Sequence, residues 1–198
     1  MSVRPRCFSL PSPPVGTLAV VLSILATSVA VPCARATWPH ERDGFILGLN
    51  IGAGSAGINL ANVDSDRESG LAGNGRVGYA LSPQFALGLE GNFWTREVDG
   101  EEWSFSVGAI TATYYPGAQG FYVRGGIGVG TMEYSEDAGG FTFSASDDGF
   151  GLLLATGYEW RLTRRFSLGP QVDYGYGQID GELSMDFFNV TAGLNWYF

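Results

Sequence analysis

Residues 189–198 read NVTAGLNWYF, and their side chains alternate without a break to the last position. Val190, Ala192, Leu194, Trp196 and Phe198 form one row; Asn189, Thr191, Gly193 and Asn195 form the other. A period of two is the mark of a strand with one apolar and one polar face. Chain ends are ordinarily frayed and polar. This apolar row must therefore lie against an apolar medium.

The same rhythm recurs from Gly44 onward, with no amphipathic helix between. FILGLNIGA (45–53) sets Phe45, Leu47, Leu49, Ile51 and Ala53 against Gly48, Asn50 and Gly52. A weaker strand over 71–81 shows Val77, Tyr79 and Leu81. FALGLEGNF (85–93) sets Phe85, Leu87, Leu89 and Phe93 against Ala86, Gly88, Glu90 and Asn92. In FSVGAITATYY (105–115) the expected apolar face is Phe105, Val107, Ala109, Thr111 and Tyr115, opposite Ser106, Gly108 and Ala112. FYVRGGIGVG (121–130) sets Phe121, Val123, Ile127 and Val129 against Tyr122, Arg124, Gly126 and Gly128. FGLLLATGYEWRL (150–162) sets Phe150, Leu152, Leu154, Tyr158, Trp160 and Leu162 against Gly151, Gly157, Glu159 and Arg161. FSLGPQVDYGY (166–176) sets Phe166, Leu168, Val172, Tyr174 and Tyr176 against Ser167, Gln171 and Asp173. Pro170 cannot donate to a ladder, so an irregularity is expected there.

With the closing stretch, eight strands result. Tight turns at 82–84, 116–120 and 163–165 alternate with longer polar segments at roughly 58–70, 96–102, 133–148 and 178–186. That is an antiparallel up-and-down meander, and closing it into a barrel removes its edges. An eight-stranded barrel is just wide enough for its own side chains. The Phe, Leu, Tyr and Trp set is too bulky for that interior, whereas Gly, Ala, Ser, Asn and a few charges fit. The bulky set is thus expected to face outward, where water would tolerate only a few hundred Å2 of it. The fold class is an all-β, eight-stranded transmembrane β-barrel in lipid. Aromatic girdles are expected at the turn end (Tyr79, Phe85, Tyr115, Phe121, Trp160, Phe166, Trp196, Phe198) and at the loop end (Phe93, Trp94, Trp103, Phe105, Phe150, Tyr176).

The other end of the chain supplies an export signal. Arg4 and Arg6 precede the apolar run 15–31, which closes on Ala34-Arg35-Ala36. This is the layout of a cleavable signal peptide over 1–36, and the run is shorter than the ~20 residues of a spanning helix. A short periplasmic segment (37–43) and the barrel domain (44–198) follow. Both cysteines, Cys7 and Cys33, fall in the leader, so no disulfide is expected in the mature chain. All 20 acidic residues follow position 36 and the chain has no Lys. That balance argues against a nucleic-acid partner.

Residues 44–198 resemble the OmpA-like and OmpX-like eight-stranded barrels of the outer membrane protein beta-barrel domain family. The strand FYVRGGIGVG, the strand containing GYEWRL and the aromatic C-terminus carry the likeness. The resemblance implies residence in a Gram-negative-type outer membrane and contact with its lipid and lipopolysaccharide. It also implies that barrel-insertion machinery reads Val190, Leu194, Trp196 and Phe198 as a terminal-strand signal, and a monomer is expected.

The polar face directs Arg76, Glu90, Arg124, Glu159, Arg161 and Asp173 inward. Charges removed from water need partners, so three cations and three anions are expected to neutralise one another and plug the lumen. Ion passage by exchange of those pairs is the alternative. The loops carry most of the acid. Asp64, Asp66, Asp147 and Asp148 are weak candidates for a divalent cation, without EF-hand spacing; no resident metal or cofactor is expected. GAGSAG (52–57) matches a dinucleotide-loop pattern, but no helix follows it. The lipid A-modifying barrels use His with Ser. Here the one histidine, His40, precedes the first strand at the periplasmic end. The expected role is non-enzymatic: envelope integrity or surface interaction, ahead of a narrow ion pore or a lipid-modifying enzyme.

Overall fold

The computed structural model describes residues 42–198 apart from 61–62, 65–66, 99–100, 139–140 and 181–182. The expected leader, His40 and Asp66 lie outside the described residues. Eight long strands follow one another: β1 (Gly44–Leu60), β2 (Glu68–Ser82), β3 (Phe85–Val98), β4 (Glu101–Tyr114), β5 (Phe121–Ala138), β6 (Phe141–Tyr158), β7 (Phe166–Asp180) and β8 (Leu183–Tyr197). Two-residue strands add to them: Val63–Asp64 pairs back onto β1, and Trp160–Arg161 resumes the ladder with β7 after a break at Glu159. Each long strand pairs antiparallel with its neighbour in sequence. The ring closes where β8 pairs with β1 from Ile46↔Tyr197 to Leu60↔Leu183. Closure removes the edges of the wall, while above Phe150 the β6 arm pairs with β5 alone.

Gly44 opens β1 at φ 76°, beside the Phe198 carbonyl. This is left-handed backbone with no room for a Cβ, so only glycine lets the chain enter the strand there. Pro170 sits within β7 on the outer face; the ladder with β8 passes it in register at Ala192, while the ladder with β6 lapses opposite it, between Gly157↔Gln171 and Trp160↔Leu168, which is the irregularity expected of a residue that cannot donate.

Strands run further than the sequence pattern suggests. The stretches expected as long loops are largely continuations of the ladder, most of all in the β5–β6 hairpin, whose pairing persists to Ala138↔Phe141. The reason lies in the backbone. Each projecting N–H and C=O needs a partner, and Thr, Tyr and Phe spaced through 131–146 favour the extended state. Short turns remain short: Pro83-Gln84, a 3-10 turn over Pro116–Ala118, and 162–165.

The bulky rows of seven strands face outward as expected; Ile51, Leu89 and Leu154 are exposed on the wall. Strand β4 has the opposite phase from the expected one. Val107 is 0 % exposed and Ile110 is 67 % exposed. Phe105, Val107, Ala109, Thr111 and Thr113 therefore point inward, with Gly108, Ile110, Ala112 and Tyr114 outward. The expected girdles lose Trp94, Phe105 and Tyr115, all buried, while Trp103 packs half-buried against the inner cluster.

The interior is accordingly layered rather than uniformly slim. Towards the hairpin end, Trp94, Phe105, Val107, Leu153, Met185 and Phe187 form an apolar layer, with Trp94 stacked on Phe105 at 5.3 Å. Towards the turn end, Ile46, Tyr115, Tyr122 and Tyr197 cluster with Ala80 and Ala86. Glycine makes the room. Phe187 lies opposite Gly175 and Met185 opposite Gly177, and a Cβ at either glycine would run into the facing side chain.

Two outcomes test this phase. Leu89→Arg should destabilise the vesicle-embedded barrel by about 2–4 kcal/mol if Leu89 lies near the bilayer midplane, read from urea unfolding. A thiol-coupled nitroxide at Ile110→Cys should collide with lipid-dissolved oxygen, whereas one at Val107→Cys should not; equal collision rates would reverse the phase of β4.

Candidate functional site

Alternation along the strands brings ionisable side chains from opposite walls into the lumen, some of them among the tyrosines of the turn-end cluster. On β2, Arg76 lies opposite Gly48, whose missing side chain leaves space for the guanidinium stem. Arg76 crosses to Glu159 (Nη2–Oε1 3.0 Å) and donates from Nε and Nη2 to Asn195 Oδ1 of β8. Glu159 occupies the break between β6 and its short continuation, fixed by its N–H donating to the Gly120 carbonyl at 2.9 Å. Its carboxylate accepts the Tyr197 hydroxyl at 2.5 Å and the Tyr115 hydroxyl at 3.3 Å.

A fourth cation joins this group from before the first strand. The Arg42 side chain is fully buried, 3.6 Å from the Glu159 carboxylate. It donates to the Pro83 and Gln119 carbonyls (3.3 and 2.6 Å), and its guanidinium lies 3.6 Å from the Tyr115 ring centroid. Two of the three tight turns are thereby tied to the N-terminal segment. In place of the expected three against three, the buried charges among the described residues are four arginines (Arg42, Arg76, Arg124, Arg161) and four carboxylates (Glu90, Glu159, Asp173, Asp186). No periodic signal in the sequence reaches Arg42. Tyr197, by contrast, follows from the alternation that sends Trp196 and Phe198 outward.

The second group lies on the other walls. Arg124 of β5 and Glu90 of β3 pair at 2.5 Å with both side chains fully buried. Thr113 accepts from Arg124 Nε, and Asn92 donates to the other Glu90 oxygen. Gln171 accepts from the Tyr122 hydroxyl and donates to Asp173. Asp173 also receives Asn74 and Thr191, so amides and a hydroxyl hold it. Arg161 donates to the Arg164 carbonyl at 3.0 Å and stacks on the Tyr197 ring at 3.6 Å. The six sequence-derived positions are thus all inward, but they fall into distinct clusters rather than one chain of pairs.

Among the described residues the loop carboxylates do not converge. Asp147 and Asp148 are exposed at successive positions of β6, which project to opposite faces. Asp148 accepts the Thr131 hydroxyl at 2.7 Å, and the Asp64 side chain lies outside the described residues. At that end, Arg67 pairs with Asp186 at 2.5 Å and Arg96 pairs with Glu68. On the outer face of β8, Val190, Leu194, Trp196 and Phe198 form an exposed row, with Trp196 stacked between Phe166 and Phe198.

A closed antiparallel ring with an apolar outside and buried ion pairs inside is the architecture of a transmembrane barrel. A family model described as outer membrane protein beta-barrel domain matches residues 18–198. The chain belongs to this family. Among solved structures it is similar to the Neisserial surface protein A, with a TM-score of 0.59 and 16 % identity, covering 78 % of this chain and 97 % of that one. It is also similar to Ail, the attachment invasion locus protein of Yersinia pestis, with a TM-score of 0.54 and 15 % identity, covering 77 % and 99 %. A second Ail structure, in complex with the heparin analogue sucrose octasulfate, matches with a TM-score of 0.50 and 17 % identity over 77 % and 99 %. At such identity the likeness is one of fold. No curated protein sequence matches the chain.

Within this outer-membrane barrel, the Arg124–Glu90 pair offers a direct energetic test. Arg124→Met alone should cost about 3–5 kcal/mol, because it strands a buried carboxylate. The double variant Arg124→Met/Glu90→Leu should recover most of that loss, measured by urea unfolding in lipid vesicles.

Proposed function

We propose that the protein is a sealed, non-enzymatic barrel of the outer membrane that serves envelope integrity and surface interaction. Residues 1–36 are its cleaved leader, and the row ending at Phe198 is read by the insertion machinery. The observation that carries the sealed reading is the set of contacts spanning the lumen. Arg76 reaches from β2 to Glu159 and Asn195, Arg124 joins β5 to β3, and Asn74 reaches from β2 to Asp173 on β7. Arg42 closes the turn end by gripping carbonyls of two turns and the Tyr115 ring. An ion entering that space would have to displace fully buried, paired groups, at the desolvation cost that makes buried pairs expensive to open.

The long hairpins support the surface role, since short turns face the periplasm and longer connections the exterior in this class of barrel. They bear Glu97, Glu102, Glu133, Asp147 and Asp148 as exposed acids, and both arginines of that end are engaged with carboxylates. The polyanion held by Ail therefore has no counterpart in the charge of these hairpins. A neutral or cationic surface suits them, as does lipopolysaccharide bridged through divalent cations.

Planar-bilayer recording decides the central point. The refolded protein should give no steady unitary conductance, and Arg42→Ala combined with Glu159→Gln should introduce one. Discrete steady currents from the unaltered chain would replace the sealed reading with that of a narrow pore. Unchanged lipid A masses in expressing cells are expected alongside; a shifted mass would make the barrel an enzyme.

A further inference from the structure

The wall is of unequal height, and the step leaves backbone without a partner. β7 and β8 turn back on each other at Asp180 and Leu183, just beyond Phe150↔Gln178, the topmost pair of β6 with β7. The β5–β6 hairpin continues to Ala138↔Phe141. β4 accompanies β5 as far as Glu101↔Glu136, so β5 is flanked on both sides almost to its end. Among the described residues, 141–148 of β6 are paired on the β5 side alone. Gly149 marks the foot of this edge: a Cβ there would strike the Gln178 carbonyl, so β6 and β7 still touch at that level.

In an antiparallel ladder, alternate residues turn both backbone groups to the same side. Every second residue over 141–148 therefore presents a free N–H and C=O sideways. Ala145, Ser146, Asp147 and Asp148 are exposed. This arm stands in water, which satisfies those groups without closing the edge. Natural edges are commonly blocked by Lys, Pro or a bulge. FTFSASDD (141–148) contains neither Lys nor Pro, and its ladder with β5 runs without a register shift. Phe and Thr at 141–143 favour the extended state. The edge is unblocked and shaped to pair.

Charge selects what pairs with it. Asp147 and Asp148 project to opposite faces at the foot of the edge, and Thr131 occupies only Oδ1 of Asp148. Glu133, also exposed, lies across the ladder at Ser146. The nearby cations Arg67 and Arg96 are engaged with Asp186 and Glu68. A second copy in the same membrane would set its β6 arm beside this one pointing the same way, with aspartates next to aspartates. Like charges side by side across a strand pair are destabilising. A strand with two consecutive cations reverses that sign, because one falls beside each carboxylate.

We propose that β6 accepts along residues 141–148 an added antiparallel strand from another protein, an extended segment whose two consecutive Arg or Lys residues lie beside Asp147 and Asp148. Main-chain hydrogen bonds supply the affinity and the aspartates set the register. Antiparallel addition continues the pattern of the neighbouring junctions. The proposal gives the surface role a partner class and rests on that reading for the outward placement of the hairpins; the sealed lumen does not enter.

The test titrates the full barrel, refolded into phosphatidylcholine nanodiscs that leave both ends accessible, with the fluorescent peptide TRRVTITVT. Two further peptides carry N-methyl groups on alternate residues, one on the odd set and one on the even set. One methylated set should abolish binding and the other retain it, because only one set of amides faces β6. Amide hydrogen exchange over 141–148 should slow on binding. Asp147→Asn/Asp148→Asn should weaken binding by roughly fivefold, and Glu97→Gln on the neighbouring hairpin should leave it unaltered. Heat-modifiable gel migration confirms that each variant is folded. No binding, equal binding by both methylated peptides, or unaltered exchange would overturn the proposal and leave the sealed barrel to its conductance test. An affinity unmoved by the aspartate replacements would overturn the cationic requirement. Disulfide cross-linking of Ser146→Cys between barrels in vesicles would also overturn the proposal, making a second copy the occupant.

Discussion

Hydrocarbon offers no hydrogen-bond partner, so every backbone N–H and C=O within it must be satisfied by the chain itself. All else in this molecule is built on that requirement. It forces the first and last strands together, and the β1–β8 ladder is the seam that meets it. Once the ring is closed, its circumference is set by eight strands, and side-chain volume becomes the scarce resource inside. The interior glycines, the cross-lumen ion pairs and the stacked rings all solve that one problem of filling a narrow cylinder without leaving a charge alone.

The layered interior shows how two solutions coexist. Ion pairs run from the middle into the turn-end cluster, where carboxylates and guanidinium groups reach partners on several strands. Apolar layers occupy the ends, where Phe187 fits above Gly175 and Tyr115 carries Arg42 on its face. Water is thereby kept away from the central charges, which strengthens their mutual attraction. Glu159 is the point where these devices meet. It touches two arginines and two tyrosines from a position where the β6 ladder itself is interrupted.

Most of this was legible from alternation, because strands facing lipid on one side and polar groups on the other carry a strong period-two contrast. The misreading of β4 marks where that contrast fails. Phe105 and Val107 belong to the inner apolar layer while Ser104, Ser106 and Gly108 lie on the other face, so in the upper half of the strand the usual contrast is inverted and alternation points the wrong way. Ile110 and Tyr114 were the informative residues, since neither fits opposite the lumen's charged middle. Trp94 deceived for the same reason. Arg42 was invisible in a different way: its role depends on carbonyls of Pro83 and Gln119, distant in sequence and offering no side-chain pattern. Acidic residues in the long connections suggest solvent and hence loops, yet acidity and strand pairing are compatible once the ladder leaves the bilayer.

The hairpin that continues the wall as paired strands to Ala138 and Phe141 also constrains how such a barrel can change over generations. Residues gained or lost in matched twos along its arms keep inner and outer positions, whereas a single one must be taken up by a bulge, as at Ala80/Ser82 and Leu183/Ser184, or at the tip. Free variation is left to the tip. A surface reshaped by whole steps of this kind alters its reach into the surroundings while the buried lattice below keeps its order.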